Sequence, residues 1–268
     1  MTKLLVVGGG KMGEALLGGL LAGGWAEPSE VAVVEPDAVR RDVLAARYPG
    51  LTLTAEPVAA EGAVLAVKPQ MIAAVCRQLG ELGIGRLLSI AAGVRLATME
   101  EVVPAGTAVV RAMPNTPSLV GMGAAAIAGG TSAGEDDLVW AEQILGAVGT
   151  VTRVTEAQIN AVTGLSGSGP AYVFLIAEAL IDAGVLVGLT RDVASDLAIQ
   201  TLRGSAELLA AGTPPAEARA NVTSPGGTTA AGLRALENGG VRASIIDAVV
   251  AAVARADEMG SSVPTASS

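Results

Sequence analysis

The chain has 268 residues, a formal net charge of −9 and no histidine, and 51% of its residues are hydrophobic while only 2% are aromatic. The absence of histidine excludes Ser-His-Asp triads, Cys-His pairs and histidine metal ligands. The single cysteine, Cys76, excludes an internal disulfide and a cysteine-based metal cluster. No basic stripe or patch of the kind that binds nucleic acid is expected in so acidic a chain. The length suits two domains, and the excess of apolar residues indicates a buried subunit interface.

Two apolar segments bear on localisation. The N-terminal run MTKLLVVGGGK is too short for a signal peptide. The stretch from Ala171 to Leu189 is apolar, but it contains Glu178 and Asp182, and each charge at the centre of a membrane span costs about 3 kcal/mol. We therefore expect a buried helix in a cytoplasmic protein, with no membrane partner.

The N-terminus combines a strand, a glycine-rich turn and a helix. The run from Lys3 to Val7 leads into Gly8-Gly9-Gly10-Lys11-Met12-Gly13, and the helical pattern then continues from Glu14 to Leu21. In this context Gly8 makes the tight turn, Gly10 lets a pyrophosphate approach, and Gly13 lets helix and strand pack closely. The segment predicts a dinucleotide site, in which Lys11 and Met12 also contact the cofactor, and the alternative is a purely structural turn.

Glu35 follows the second predicted strand, Val31 to Val34, about twenty residues beyond the glycine motif. A carboxylate at this position commonly binds the adenine ribose 2′-hydroxyl, which favours NADH. Arg40 and Arg41 follow closely and could instead hold the 2′-phosphate of NADPH. Both cofactors therefore stay open, and so does a plain solvated loop.

Further candidate cofactor residues follow later predicted strands, because ligands of parallel sheets lie beyond the carboxyl ends of the strands. Lys68-Pro69 follows Ala63 to Val67, where Lys68 is placed near the nicotinamide ribose unless it is a surface lysine. Ala92 and Gly93 follow the predicted strand from Arg86 to Ile90. Asn115, in the loop MPNTP, offers an amide to the nicotinamide carboxamide, with a turn-forming asparagine as the alternative. The strand candidates are 3–7, 31–34, 51–54, 63–67, 86–90, 107–111, 124–128 and 150–154.

Strands end near Thr155 to Gln158, and helical periodicity follows. This change predicts an α/β protein with a Rossmann dinucleotide-binding domain over residues 1–156 and an all-helical domain over residues 157–268. Within the second part, Ser168 is expected as a helix N-cap, with Pro170 in the first turn. The tail from Gly260 to Ser268 is expected to fray.

The segment from Asn221 to Glu237, NVTSPGGTTAAGLRALE, predicts an anion site. A helix that starts after Pro225-Gly226-Gly227 leaves backbone N–H groups without intrahelical partners, and the hydroxyls of Ser224, Thr228 and Thr229 add donors. No Lys or Arg lies between Asn221 and Leu233, so neutral donors suit a small carboxylate better than a polyphosphate. An ordinary capped helix is the alternative.

Three runs resemble pyrroline-5-carboxylate reductases: NAVTGLSGSGPAY from Asn160, DAGVLVGLTRD from Asp182 and VTSPGGTTAAGLRALE from Val222. The resemblance implies reduction of 1-pyrroline-5-carboxylate to L-proline by NADPH or NADH, without a metal. It also implies a helical domain that forms an interlocked homodimer, and dimers that assemble further, up to a decamer. Glu35 departs from the small polar residue often found there in the family, which puts the usual NADPH preference in doubt.

The resemblance also implies roles for the segment around Pro225. Thr229 is the candidate catalytic residue, hydrogen-bonded to the imine nitrogen of the substrate. Ser224, Gly226, Gly227 and Thr228 would hold the substrate carboxylate together with Thr229. Catalysis would then consist mainly of positioning the hydride donor and acceptor.

Two other functions fit parts of the pattern. A β-hydroxyacid dehydrogenase usually relies on a lysine in its helical part, whereas the lysines here are at positions 3, 11 and 68. A dinucleotide-binding sensor without catalysis would have no evident use for the donors from Ser224 to Thr229.

Overall fold

An eight-stranded sheet forms the centre of the N-terminal part of the chain. The structure, a computed structural model, describes residues 2–262, with side chains through residue 259. The strand order is β3-β2-β1-β4-β5-β6-β7-β8. Strands β1 to β6 run parallel, β7 is antiparallel to β6, and β8 is parallel to β7. The strands are β1 Leu4–Val7, β2 Val31–Val34, β3 Thr52–Thr54, β4 Gly62–Leu65, β5 Arg86–Ser89, β6 Ala108–Met113, β7 Gly123–Gly129 and β8 Gly149–Arg153.

All eight strand predictions are confirmed, with ends that differ by at most two residues. The helices are α1 Lys11–Ala22, α2 Ala38–Arg47, α3 Ile72–Glu81, α4 Leu96–Glu100, α5 Glu135–Gly146, α6 Ile159–Val162, α7 Gly169–Leu186, α8 Arg191–Ala210, α9 Pro215–Asn221, α10 Thr228–Asn238 and α11 Val241–Ser262. Helix α11 continues through Ser262, so the expected fraying does not begin at Gly260, and residues 263–268 of that tail lie outside the described part.

The central strands are buried on both faces because helices cover the sheet from both sides. Leu5 and Val7 face a core that includes Ile72 and Leu79 of α3. Leu4 and Val6 face the opposite core, formed with α1, α2 and α5. Alternate side chains of one strand thus enter different cores, which explains why β1 and β4 are continuous apolar runs.

The helix around Ser168 differs from the prediction. Ser168 has helical backbone angles, φ −86° and ψ −21°, whereas an N-cap is extended. Its N–H donates to the Thr163 carbonyl at 2.8 Å, a bond across five residues that belongs to the π-helical turn Thr163–Gly167. The helix therefore passes through this region without restarting, and Ser168 is not an N-cap.

The described chain divides by packing into two compact units. One holds the sequence up to Ser168 together with the part from Ala251 onward, and the other spans Gly169–Val250. The predicted boundary at residue 156 follows the last strand, which ends at Arg153. Packing places the division about a dozen residues later, because α6 still packs with the sheet and the π-helical turn packs with α6.

The unit Gly169–Val250 has very little core of its own. Helix α7 has no buried residue, so the helix expected to be buried between Ala171 and Leu189 is not buried within the single chain. Helix α8 buries only Ala194 and Ala198. Phe174, Leu175 and Leu186 are 61%, 66% and 86% exposed. Among the described helices, one continuous stretch, residues 156–186, is long and apolar enough to cross a membrane by length and composition alone.

Candidate functional site

The glycine-rich turn has the geometry that a dinucleotide pyrophosphate requires. Gly8 has a φ of +109°, which L side chains rarely adopt, and a Cβ there would lie 2.5 Å from the Ala66 carbonyl oxygen. A Cβ on Gly13 would lie 2.1 Å from the Gly8 carbonyl oxygen. A Cβ on Gly10 would meet no atom within 4 Å, so the packing of the chain does not explain that glycine. The turn therefore fits a cofactor phosphate beside Gly10, at the N-terminus of α1.

The other predicted cofactor residues follow neighbouring strands at the same edge of the sheet. Val7 pairs with Leu65, Leu65 with Ser89, and Ser89 with Arg111. Four strand ends side by side span about 14 Å, and Lys11 and Met12, Lys68 and Pro69, Ala92 and Gly93, and Asn115 all follow these ends. This edge lies where strand order reverses between β1 and β4, the usual position of a dinucleotide.

Glu35 lies beside the glycine-rich turn, immediately after β2. Its Oε2 accepts a hydrogen bond from the Gly9 N–H at 3.1 Å, and its Oε1 accepts from the Asp37 N–H at 3.1 Å. A Cβ on Gly9 would lie 2.8 Å from Leu44 Cδ1. Gly9, which sequence reasoning left without a role, therefore lets the turn approach Glu35.

The two candidate arginines near Glu35 are engaged within the chain. Arg40 donates from Nε to the Gly9 carbonyl at 2.7 Å and pairs with Glu14 through a guanidinium nitrogen. Arg41 donates to the carbonyls of Glu35 and Pro36 at 2.7 and 2.8 Å.

Glu14, another residue that sequence reasoning missed, joins Arg40 to Arg47, which donates to it at 2.7 Å. Burial by itself would raise the pKa of Glu14, but the hydrogen bond and charge of Arg40, helped by Arg47, outweigh burial and lower that pKa. Glu14 therefore stays ionised and holds α2 against the first turn of α1. An acid in a first helical turn suggests only a dipole contact, so no local pattern reveals this network.

Both ends of the Asn115 amide are hydrogen-bonded inside the chain. Oδ1 accepts from the Ala124 N–H at 2.8 Å, and Nδ2 donates to the Ser166 carbonyl at 3.1 Å. In a regular helix that carbonyl would accept from residue 170, but Pro170 has no N–H. Asn115 thus supplies the missing donor, and one donor and one acceptor position of its amide stay open for the predicted nicotinamide contact.

A buried guanidinium lies on β6, four residues before Asn115. Arg111 is 4% exposed and donates to Glu156 at 3.1 Å and to Asn160 at 3.4 Å. Glu156 also accepts from the Leu96 N–H at 2.6 Å, and Asn160 donates to Asp257 at 2.6 Å. Burial lowers the pKa of Arg111, and Glu156 opposes that shift. The cluster ties β6 to α4, α6 and α11 beneath the MPNTP loop.

The predicted carboxylate site lies within the other unit, at the start of α10. Gly226 has a φ of +71°, and Gly227 is the N-cap, with extended angles and no capping side chain. The first intrahelical bond runs from the Ala231 N–H to the Gly227 carbonyl at 3.2 Å, so the three preceding N–H groups have no intrahelical acceptor. A Cβ on Gly227 would lie 2.4 Å from Ser224 Oγ.

Two hydroxyls border these N–H groups. Thr228 is exposed and Thr229 is half-buried, and neither side chain bonds to another described residue. Together with the Ser224 hydroxyl, they add side-chain donors to the backbone N–H donors of the turn. The predicted substrate residues therefore come together at one helix N-terminus, where an anion is favoured.

The strand order 3-2-1-4-5-6 with a fitting glycine-rich turn at its switch point defines a Rossmann dinucleotide-binding domain, the class found in NAD(P)-dependent oxidoreductases. A family profile described as NADP oxidoreductase, coenzyme F420-dependent, matches residues 3–93. A profile described as pyrroline-5-carboxylate reductase dimerisation matches residues 156–259. The second profile covers the helical part and indicates self-association.

Relatives extend this likeness over nearly the whole chain. The pyrroline-5-carboxylate reductase of a Synechocystis strain is 46% identical over 96% of this chain and 98% of its own length. That of Corynebacterium melassecola is 41% identical over 97% and 99%. The chain therefore belongs to the pyrroline-5-carboxylate reductase family.

Solved structures agree in fold. A pyrroline-5-carboxylate reductase from Coxiella burnetii is 37% identical, with a TM-score of 0.90 over 96% of this chain and 98% of that one. The Plasmodium falciparum pyrroline carboxylate reductase, solved with NADP bound, is 30% identical, with a TM-score of 0.83 over 97% and 98%.

Proposed function

We propose that this chain reduces 1-pyrroline-5-carboxylate to L-proline with NADH or NADPH, the last step of proline biosynthesis. The observation that carries the proposal is the open N-terminus of α10, where three N–H groups lie beside the hydroxyls of Ser224, Thr228 and Thr229. Relatives of this name at 41–46% identity support it, as does the fit of the glycine-rich turn to a dinucleotide.

We assign substrate binding to neutral donors. The carboxylate would accept hydrogen bonds from the Ser224 hydroxyl and from the N–H groups at the start of α10, where the helix dipole favours negative charge. Gly226 and Gly227 let the carboxylate reach the backbone, and Thr228 and Thr229 close the site with hydroxyls. A helix N-terminus lined this way binds one charge without a counter-ion side chain.

We assign Thr229 to the imine nitrogen. The bound nicotinamide supplies hydride to the ring carbon, and the nitrogen must carry a proton or accept a hydrogen bond for that transfer to be fast. The chain has no histidine, and its lysines are at positions 3, 11 and 68, so a hydroxyl or water is the donor within this region. Thr229 is half-buried and free to orient its hydroxyl within the described chain.

The reaction is tested by the loss of dihydronicotinamide absorbance when pyrroline-5-carboxylate is added to the protein and either cofactor. Turnover that yields proline supports the proposal. Binding of cofactor with no turnover on this imine would instead indicate a sensor without catalysis.

The carboxylate site is tested by two glycine-to-alanine changes in the same helix region. Gly227→Ala places a methyl group 2.4 Å from Ser224 Oγ, so the Ser224 hydroxyl or the turn must move, and the KM for pyrroline-5-carboxylate should rise about tenfold or more. Gly232→Ala meets no atom within 4 Å and should leave that KM unchanged. Equal effects of the two changes would remove the turn from substrate binding.

We also propose that the helical unit forms a homodimer, with a decamer built from such dimers as the larger assembly. Phe174, Leu175 and Leu186 are more than half exposed in the single chain, and burying each against a partner stabilises the pair by about 2 kcal/mol. The same burial accounts for the apolar stretch 156–186 without a membrane. Cytoplasmic localisation is part of this proposal.

The assembly is tested by light scattering after size-exclusion chromatography. Leu175→Asp should dissociate the dimer, because it buries a charge in the apolar contact. Leu82→Asp replaces a leucine that is 40% exposed on the other unit and should leave the assembly intact. A wild-type monomer at low micromolar concentration would overturn the proposal.

A further inference from the structure

Glu35 lies where the cofactor's adenine ribose is recognised in the proposed reaction, and the structure shows how its carboxylate is held. One oxygen accepts from the Gly9 N–H and the other from the Asp37 N–H, both at 3.1 Å. A carboxylate offers about four acceptor positions, so about two are left. They can accept the two hydroxyl hydrogens of an unmodified ribose but offer nothing to a phosphate.

The segment that carries Glu35 is fixed by its own hydrogen bonds. Arg41 donates to the carbonyls of Glu35 and Pro36, and Asp37 Oδ1 accepts from the Val39 N–H at 2.9 Å as the N-cap of α2. Moving the Glu35 carboxylate away from the glycine-rich turn would break its bond to Gly9. A 2′-phosphate would therefore lie against the Glu35 carboxylate, which cannot move away without losing its hydrogen bond from Gly9.

Of the two nearby cations, Arg40 is engaged by partners within the chain and Arg41 is engaged in part. Arg40 uses Nε on the Gly9 carbonyl and another guanidinium nitrogen on Glu14, which Arg47 also contacts. Arg41 uses Nη1 on two backbone carbonyls, and its Nε and Nη2 have no partner among the described residues. Bidentate recognition of a phosphate needs two parallel N–H donors from one guanidinium, and Arg40 already directs its Nε and a terminal nitrogen at partners within the chain.

We infer that Glu35 makes this protein select NADH over NADPH, by accepting hydrogen bonds from the free ribose hydroxyls and repelling a 2′-phosphate. The inference rests on the proposed function, which itself leaves the two cofactors open. Rejection by a fixed like charge is a common source of specificity, and the repulsion between two like charges is strongest at close range.

The test is a set of equilibrium dissociation constants measured without turnover, by titration calorimetry with NADH, NADPH and two fragments that lack the nicotinamide, 5′-AMP and 2′,5′-ADP. We expect the wild-type protein to bind NADH about tenfold or more tighter than NADPH. Of the fragments, 5′-AMP should bind tighter than 2′,5′-ADP. The preference should shrink at high salt, because screening weakens the repulsion.

Three variants identify the residue responsible. Glu35→Gln keeps an acceptor for the Gly9 N–H but removes the charge. It should therefore tighten the binding of NADPH and bring the dissociation constants of the two cofactors within about threefold of each other. Asp42→Asn makes the same charge change on α2, at an exposed position, and should alter neither constant. Arg41→Gln should weaken the binding of both cofactors equally, since in this proposal Arg41 acts only by fixing the segment that carries Glu35.

The outcomes separate the inference from the function. Equal or tighter NADPH binding in the wild-type protein overturns the inference while the function stands. A selective loss of NADPH binding in Arg41→Gln also overturns it, because that result would show that Arg41 binds the 2′-phosphate. If neither cofactor binds, the proposed function fails, and the inference fails with it.

Discussion

Replacing Asn115 by alanine should destabilise the fold through two unpaired backbone groups. The change leaves the Ala124 N–H and the Ser166 carbonyl without the partners that they have at 2.8 and 3.1 Å. Each unsatisfied group costs about 1–3 kcal/mol when buried. Asn115 and Ser166 are half-buried, so water recovers part of this, and we expect a loss of about 2 kcal/mol.

Pro170→Ala should make the Asn115 substitution less costly. An alanine at this position has an N–H that can donate to the Ser166 carbonyl, as in a regular helix. In that background Asn115→Ala should cost about 1 kcal/mol less than in the wild-type chain. Asn115→Asp keeps the acceptor for Ala124 and loses only the donor, so it isolates the contact to Ser166.

The assay is urea unfolding of the four proteins of this double-mutant cycle, at one protomer concentration because dimerisation contributes to stability. Effects of the proline on the unfolded chain cancel in the cycle. A coupling energy below about 0.3 kcal/mol, within the usual additivity of independent sites, would refute the idea that Asn115 replaces the N–H that Pro170 lacks.

Three further predictions concern single residues. Thr229→Ala should lower turnover at least about tenfold, or roughly 1.4 kcal/mol of barrier, and unchanged kinetics would exclude Thr229 from the mechanism. Because the folded-state pKa of Glu14 is lowered from 4.5, its stabilisation is present above that value and lost as pH falls through the folded-state pKa. Glu14→Gln should therefore lower the urea midpoint at pH 7, and the difference should vanish in acid; a constant difference would contradict the ion pairs. Burial raises the pKa of Cys76 to about 12, so the native protein should resist a thiol reagent at about pH 8 until urea unfolds it, and rapid native labelling would contradict that burial.

The strands and the glycine-rich turn could be predicted because their causes are local. Buried parallel strands must be apolar on both faces, and all eight predicted strands are present. Gly8 and Gly13 follow from backbone sterics within one strand–turn–helix unit, and the clashes that a Cβ would meet confirm both. Helix α10 likewise begins at Thr228, as Pro225-Gly226-Gly227 predicted.

The prediction for Ser168 was wrong because local preference did not decide that segment. A serine before Gly169-Pro170 favours a helix start, but the π-helical turn and the bond from Asn115 keep the helix continuous. The partner of Ser166 lies 51 residues away in sequence, beyond the reach of any local pattern.

The order of elements, the glycine positions and the donors at the start of α10 could all be predicted from sequence, since each follows from backbone sterics and hydrogen bonding over a few neighbouring residues. The partners of the polar side chains could not, because they are set by the packing of distant segments. Glu14 meets Arg40 and Arg47 across 26 and 33 residues, and Arg111 meets Glu156 across 45. Such contacts depend on how the sheet and its helices pack, and packing brings together residues that composition and spacing treat as unrelated.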